Sequence, residues 1–270
     1  MNHSANLVFS STGVHVSQGE DRMVGLCRWA TLHWIRYKQI ETPKTLDLSL
    51  APRGAGSWRT GPDGPVGPDG LRLPSQIWGA VGLFREREDA QRAFDNPAAF
   101  IPKLDQVEEA WHALLMPIAH RGASNQLDIE RPGLFLEPWP DDPGGPLVVL
   151  TTAGFDLGPD FDPARVKDFR FNVDKARAFL ATADGNMMRQ TFTPPIRGLD
   201  GYTSTVWRDD KAMMAAAYGP GEHRTQIERY KAEHTADRTS FSRFRPLATS
   251  GQWEGRCPVE AAKAAAQEQA

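Results

Sequence analysis

The sequence predicts an α+β protein built from two related halves, with its chemistry in the second half. Three observations carry that reading. The hydrophobic period switches repeatedly between that of strands and that of helices, two Gly/Pro-rich stretches punctuate the chain, and a short segment closing one half is echoed at the end of the other.

The first half spans residues 1–128. Leu7, Val8, Phe9 and Val14 predict a short strand over residues 6–14. Met23, Leu26, Cys27, Ala30, Trp34 and Tyr37 then recur at helical spacing and predict a helix over residues 21–40. Residues 53–74 (RGAGSWRTGPDGPVGPDGLRLP) are dense in Gly, Pro and Asp and predict a long loop or flap. A buried strand over 77–84, a helix over 86–94 ending near Asn96-Pro97, and a strand over 110–119 follow.

A linker over residues 129–146 (IERPGLFLEPWPDDPGGP) leads to the second half, residues 147–256. Its predicted elements are a strand over 147–155, a helix over 163–183 with Val166, Phe169, Val173, Ala176 and Leu180 on one face, and strands over 187–193 and 202–207. Helices over 209–218 and 222–234 and a strand over 241–248 complete it, and residues 257–270 read as a frayed Ala-rich tail. The order β-α-β-β-α-β is the split βαβ unit of ferredoxin-like folds. The first half fits it once the flap is allowed for, so two repeats are expected, their sheets packed face to face as an α+β barrel. LLMPIAHRG (114–122) and RFRPLATSG (243–251) place Pro, Ala and Gly at matching offsets.

Composition narrows the function classes. A net charge of -3 and a pI near 6.2 argue against a nucleic-acid partner. Cys27 and Cys257 stand far apart with no Cys/His cluster, which excludes a disulfide framework and a structural zinc site and points to a reducing compartment. No signal peptide and no membrane-spanning run is legible, so a cytoplasmic protein without an integral membrane segment is expected. Nucleotide-binding, serine-hydrolase and zincin motifs are missing.

Among seven histidines, His223 carries the sharpest expectation. It follows the break Gly219-Pro220-Gly221 and opens a helix in which Ile227, Tyr230 and His234 share its stripe. A helix N-terminus disfavours the imidazolium, leaving a lone pair free for iron or another metal. Glu222 offers a partner for the other ring nitrogen. A half-buried structural histidine is the competing reading. His120 with Arg121 reads as a polar site pair or, equally well, as a strand-end turn, and His3, His15, His33 and His112 have no partner at ligand spacing. Arg243 and Arg245 alternate with Phe244, so both share one face where they grip a carboxylate or stay solvated. Trp207, Phe192 and Phe244 either wall an apolar cofactor pocket or make core.

The runs RFRPLATSGQWEG (243–255), VWRD (206–209) and GPGEHRTQI (219–227) resemble the spheroidene monooxygenase family of bacterial carotenoid synthesis. The likeness extends more loosely over most of the chain, including the region around Trp29; it departs at FTPPIRGLDG (192–201) and at the 53–74 flap, both of which bear on substrate access. The resemblance implies a dimeric α+β barrel, a b-type haem with iron held by His223, and oxidation of an apolar or amphiphilic small molecule such as a carotenoid. Arg243, Trp207, Phe192 and Phe244 are then expected around the cofactor, with Arg245, Arg189 and Gln190 as polar groups on its far side. Expected partners are a small-molecule substrate, an electron-donor protein and a second copy of the chain. Other haem chemistry, such as aldoxime dehydration or peroxide-driven oxidation, and a non-catalytic ligand-binding barrel are the alternatives.

Overall fold

Residues WATLHWIRYKQIE form strand β1 (Trp29–Glu41), where the helical spacing predicted a helix. Its two faces are both buried: Ala30, Leu32 and Trp34 join one core cluster, while Trp29 and Ile35 join others on the opposite face. A strand apolar on both sides loses its two-residue period, and chance i,i+4 matches then imitate a helix. Aromatic and β-branched residues were the arbitrating signal.

The computed structural model describes residues 27–41, 57–68, 70–99, 101–122, 138–159, 161–194 and 200–269. The expected strand over 6–14 lies outside them. β1 is followed by β2 (Ser57–Pro62), β3 (Ser75–Phe84), α1 (Arg87–Asp95), β4 (Val107–Gly122), β5 (Leu147–Gly154), α2 (Pro163–Leu180), β6 (Asn186–Phe192), β7 (Gly201–Trp207), α3 (Asp210–Tyr218), α4 (Glu222–Glu233), β8 (Arg238–Gly251) and α5 (Pro258–Gln267). The flap therefore contributes a strand. The tail expected to fray is helical because Val259 and Ala262 are buried, Val259 within the main core.

The protein is a mixed α+β molecule whose eight described strands make one curled antiparallel sheet, where two sheets were expected. Its order, β2-β3-β1-β4-β8-β5-β7-β6, joins the halves through β4 and β8, and read inward from either edge the two halves follow the same plan.

That symmetry extends to single residues. Leu115 pairs with Pro246 and Pro117 with Phe244; on either side of this stretch Leu247 and Ile118 bulge out of register. A proline lacks a ladder donor and is tolerated in a central strand at such bulges, which explains PIA in β4 and PLA in β8. Gly122 and Gly251, 129 residues apart, both have positive φ (89° and 75°), and a Cβ on either would lie 2.1 Å from a backbone carbonyl, of Thr239 or Ala110 respectively. Gly122→Ala and Gly251→Ala are each expected to cost about 2 kcal/mol in urea unfolding. An effect confined to one of them would contradict the equivalence of the two sites.

The curl brings the sheet edges together: Thr193 N donates to Pro62 O at 3.3 Å, and Gly61 lies so close to Thr193 that a Cβ would meet its carbonyl oxygen at 2.1 Å. Inside the curl lies the main core, with Trp34, Trp111, Phe192, Tyr202, Phe244 and Trp253. Helices α2 and α3 cover the outer face of the second half through Leu147, Val149, Leu180, Trp207, Met213 and Ala217. Helix α1 covers the first half with Trp29, Phe84, Ala90 and Ala93. No helix of the described residues is long and apolar enough to cross a membrane.

Candidate functional site

The site is built where α3 ends and α4 begins. Helix α3 stops at Tyr218, and Gly219 N bonds back to Ala215 O. Gly221 takes φ 147°, a region reserved for glycine, with the Phe179 ring of α2 in the space a side chain would fill. This break turns the chain so that His223, in the first turn of α4, folds back on α3: its Nδ1 lies 3.1 Å from Ala217 O. A carbonyl accepts only from a protonated nitrogen, so Nδ1 carries a proton, and in the neutral ring the lone pair lies on Nε2. The carbonyl is one of those a helix end leaves without an intrahelical partner. Glu222, the expected partner of that nitrogen, instead accepts from Gln226 at 2.6 Å, one helical turn on.

Around His223 the outer layer is incompletely packed. One cluster, with Leu147, Val149, Leu180 and Trp207, lies to one side. Another, with Phe155, Val166 and Ala236, lies to the other, and Tyr230 of α4 packs on it. Between them Thr151, Thr203 and Phe241 on the sheet, Val173 and Ala176 on α2, and His223 and Ile227 on α4 are only half-buried. Apart from this, an open cleft of about 380 Å³ runs along α2 and α4, lined by Asp162, Arg165, Asp168, Arg229 and other residues that do not include His223.

The sheet separates the other expected site residues. Phe192 and Phe244 belong to the inner core, whereas Trp207 packs on the outer face with Met213, its Nε1 donating to Thr205 Oγ1 at 2.7 Å. The three aromatic rings therefore do not wall one pocket. Gln190 also points inward; with its amide turned to satisfy both neighbours, it donates to Asp63 Oδ2 and accepts from Trp253 Nε1, each at 2.8 Å.

Arg243 and Arg245 share the outer face, as their alternation predicts, and both are engaged. Arg245 grips Asp142 at 2.6 and 2.9 Å, Asp210, and the carbonyl oxygens of Gly145 (2.8 Å) and Pro146 (3.3 Å). It anchors the segment before β5 to the start of α3, and the guanidinium beside Asp142 holds that carboxyl below the usual range. Arg243 bonds Asp210 at 3.1 Å. The side chain of Arg189, half-buried on the outer face of β6 opposite Thr205, makes no hydrogen bond or ion pair with a described residue.

Sequence reasoning passed over His33 and His112. They stand opposite one another on β1 and β4, buried (0% and 7% exposed), with their Nδ1 atoms 2.9 Å apart. Only correct pairing of the two strands brings residues so distant in the chain together. His120, read as a strand-end residue, meets Ser242 Oγ at 3.0 Å. Among the described residues no three His, Cys, Asp or Glu side chains group as around a metal ion.

No protein-family model matches the chain. Two crystal structures of aldoxime dehydratase, one in complex with butyraldoxime, share its fold. Their TM-scores are 0.52 and 0.50 at 10% identity, over 82% of this chain and 82% and 80% of theirs. Spheroidene monooxygenase of Rhodobacter capsulatus is 26% identical over 184 residues, which are 68% of this chain and 72% of that protein. Over most of its length the chain is a distant homologue of spheroidene monooxygenase.

Proposed function

We propose that the protein is a haem-dependent oxidoreductase of the monooxygenase type, acting on an apolar or amphiphilic small molecule, in which His223 would hold the haem iron. The observation that carries this is the bond between His223 Nδ1 and Ala217 O, which fixes the ring and leaves Nε2 as the nitrogen that would hold iron. The half-buried residues Val173, Ala176, Ile227 and Phe241 on the same outer layer are apolar, as the surroundings of a haem would be. The homologue's name supports the oxygenase reading and suggests a carotenoid as substrate.

A bound haem would supply the oxidising chemistry; the chain orients and encloses. Helix α3 holds the ligand ring through Ala217, and Gly221 permits the turn that aims it. Arg189 is the polar group of the expected set left unengaged, available to an anionic or oxygen-bearing group. Arg245 and Gln190 act instead by holding the frame, through Asp142 and Asp63. Two ferredoxin-like repeats, residues 1–128 and 147–256, assembled as a dimer, and a reducing intracellular setting complete the reading. Cys27 and Cys257 are free thiols, and burial pushes the Cys27 thiol up to about 11.

Haemin titration tests this. The protein is expected to develop a saturable Soret band, and His223→Ala to bind haemin at least about tenfold more weakly or with an altered ligand signature while melting normally by circular dichroism. Identical spectra for the two proteins, or no band in either, would remove the haem assignment.

A further inference from the structure

On the outer face of the second half, Thr151 of β5 stands between Thr203 of β7 and Phe241 of β8, its register partners. To one side that face is closed by Val149 (4% exposed) and Trp207 (2%), and to the other by Phe155 (5%) and Val166 (4%). The three residues between are half-buried, and so are His223, Ile227 and Tyr230, which share a stripe of α4. The helix layer thus leaves room over one patch of floor.

The first half shows that this opening is not a general consequence of the sheet's shape. Carrying the Gly122/Gly251 equivalence along β4 and β8 places His112 where Phe241 stands, and its partner His33 where Thr151 stands. There the same position is filled and sealed, with His33 fully buried and His112 nearly so. In the second half it is open and carries small hydroxyl side chains. Neighbouring threonines use their hydroxyls: Thr152 bonds Ser240, Thr191 bonds Asp63, and Thr205 accepts from Trp207. Those of Thr151 and Thr203 engage no described residue. A mid-strand change from Leu147 and Val149 to Thr151 gives up apolar contact and leaves a donor unused, which is explicable if something else occupies that donor.

We infer that Thr151 and Thr203 form the polar floor of the ligand pocket, on the side opposite His223, and that they bind the acceptor atom of a largely apolar ligand bearing a hydroxyl, ketone or oxime group. The placement opposite an iron ligand rests on the haem reading above; the floor itself rests on the packing and the free hydroxyls.

The test uses the full chain with Thr151→Val and Thr203→Val together, substitutions that keep shape and remove the hydroxyls. In haemin-loaded protein, fluoride, a strong hydrogen-bond acceptor, is expected to bind about tenfold more weakly to the double variant, while carbon monoxide, a poor acceptor, changes little. Thr151→Ser with Thr203→Ser restores fluoride binding. Normal haemin uptake with unchanged fluoride affinity would overturn the floor and leave the haem reading standing. If the protein takes up no haemin, the haem reading fails, and the haem-free protein decides with the ketone-bearing naphthalene dye Prodan. Blue-shifted emission and weaker binding in the Val variant support the floor; identical emission in both proteins overturns it.

Discussion

Asp63→Ala is expected to lower the unfolding free energy by about 2–3 kcal/mol, because it strips Arg177 and Thr191 of a buried acceptor and leaves the buried Arg72 with Asp174 as its remaining counter-charge. The carboxylate is 2% exposed and sits where the two edges of the sheet meet. Arg177 of α2 reaches both of its oxygens at 2.8 and 2.7 Å, Thr191 Oγ1 donates at 2.7 Å, and Arg72, itself 3% exposed, lies 3.7 Å away. Removing it also strands Gln190, whose amide links Asp63 to Trp253 in the inner core. Urea unfolding at neutral pH is the measurement. Asp63→Asn, which keeps the shape and loses the charge, should fall between Asp63→Ala and the natural protein. A loss below about 1 kcal/mol for Asp63→Ala would mean that the edges are held by something other than this cluster.

The second large effect is on acid stability. Burial pushes the His112 imidazole down to about 4, and His33 is held well below the usual range by burial and then by the charge of His112. A folded-state value lowered in this way means that the unfolded chain binds protons first as pH falls through about 6.5, so stability rises with pH across that window. The stabilisation is fully present above the unfolded value and is lost toward the folded one. Between pH 7 and 5 the loss is about 2 kcal/mol for each buried imidazole, or about 4 kcal/mol for the pair. His120, also lowered by burial, adds in the same direction. The carboxylates Asp142, Asp209 and Asp237 are shifted below their ordinary value of 3.8, so their contribution is lost only at lower pH and does not obscure this window. Urea midpoints at pH 7, 6 and 5 should show the fall, and His33→Phe with His112→Leu should flatten it. A natural protein equally stable at pH 7 and 5 would refute the account.

The second half was legible in the sequence because its signals are local. Helix α2 shows an apolar stripe and an Asp162-Pro163 start, and Asp162 indeed caps it by accepting from Ala164 N at 2.8 Å. The Gly219-Pro220-Gly221 break before His223 is likewise a matter of adjacent residues, so the turn and the stripe were both readable. The echo of Pro, Ala and Gly in β4 and β8 was visible for the same reason: each strand must bulge at the same place, and the bulge dictates its own residues.

What the sequence determined by itself was therefore the order of elements in the second half, the matching Pro and Gly positions of β4 and β8, and a histidine at a helix start. The tertiary structure alone decided which face each strand residue takes, because pairing partners are remote and the bulges at Ile118 and Leu247 shift the alternation within β4 and β8. It set Phe244 and Trp207 on opposite sides of the sheet, spent Arg245 on Asp142 and Asp210, and left Arg189 unengaged. It made β1 a strand and brought His33 to His112. Helix signals repeat within a turn of the chain, whereas a strand's neighbours, and thus the use of its side chains, exist only after the sheet has formed.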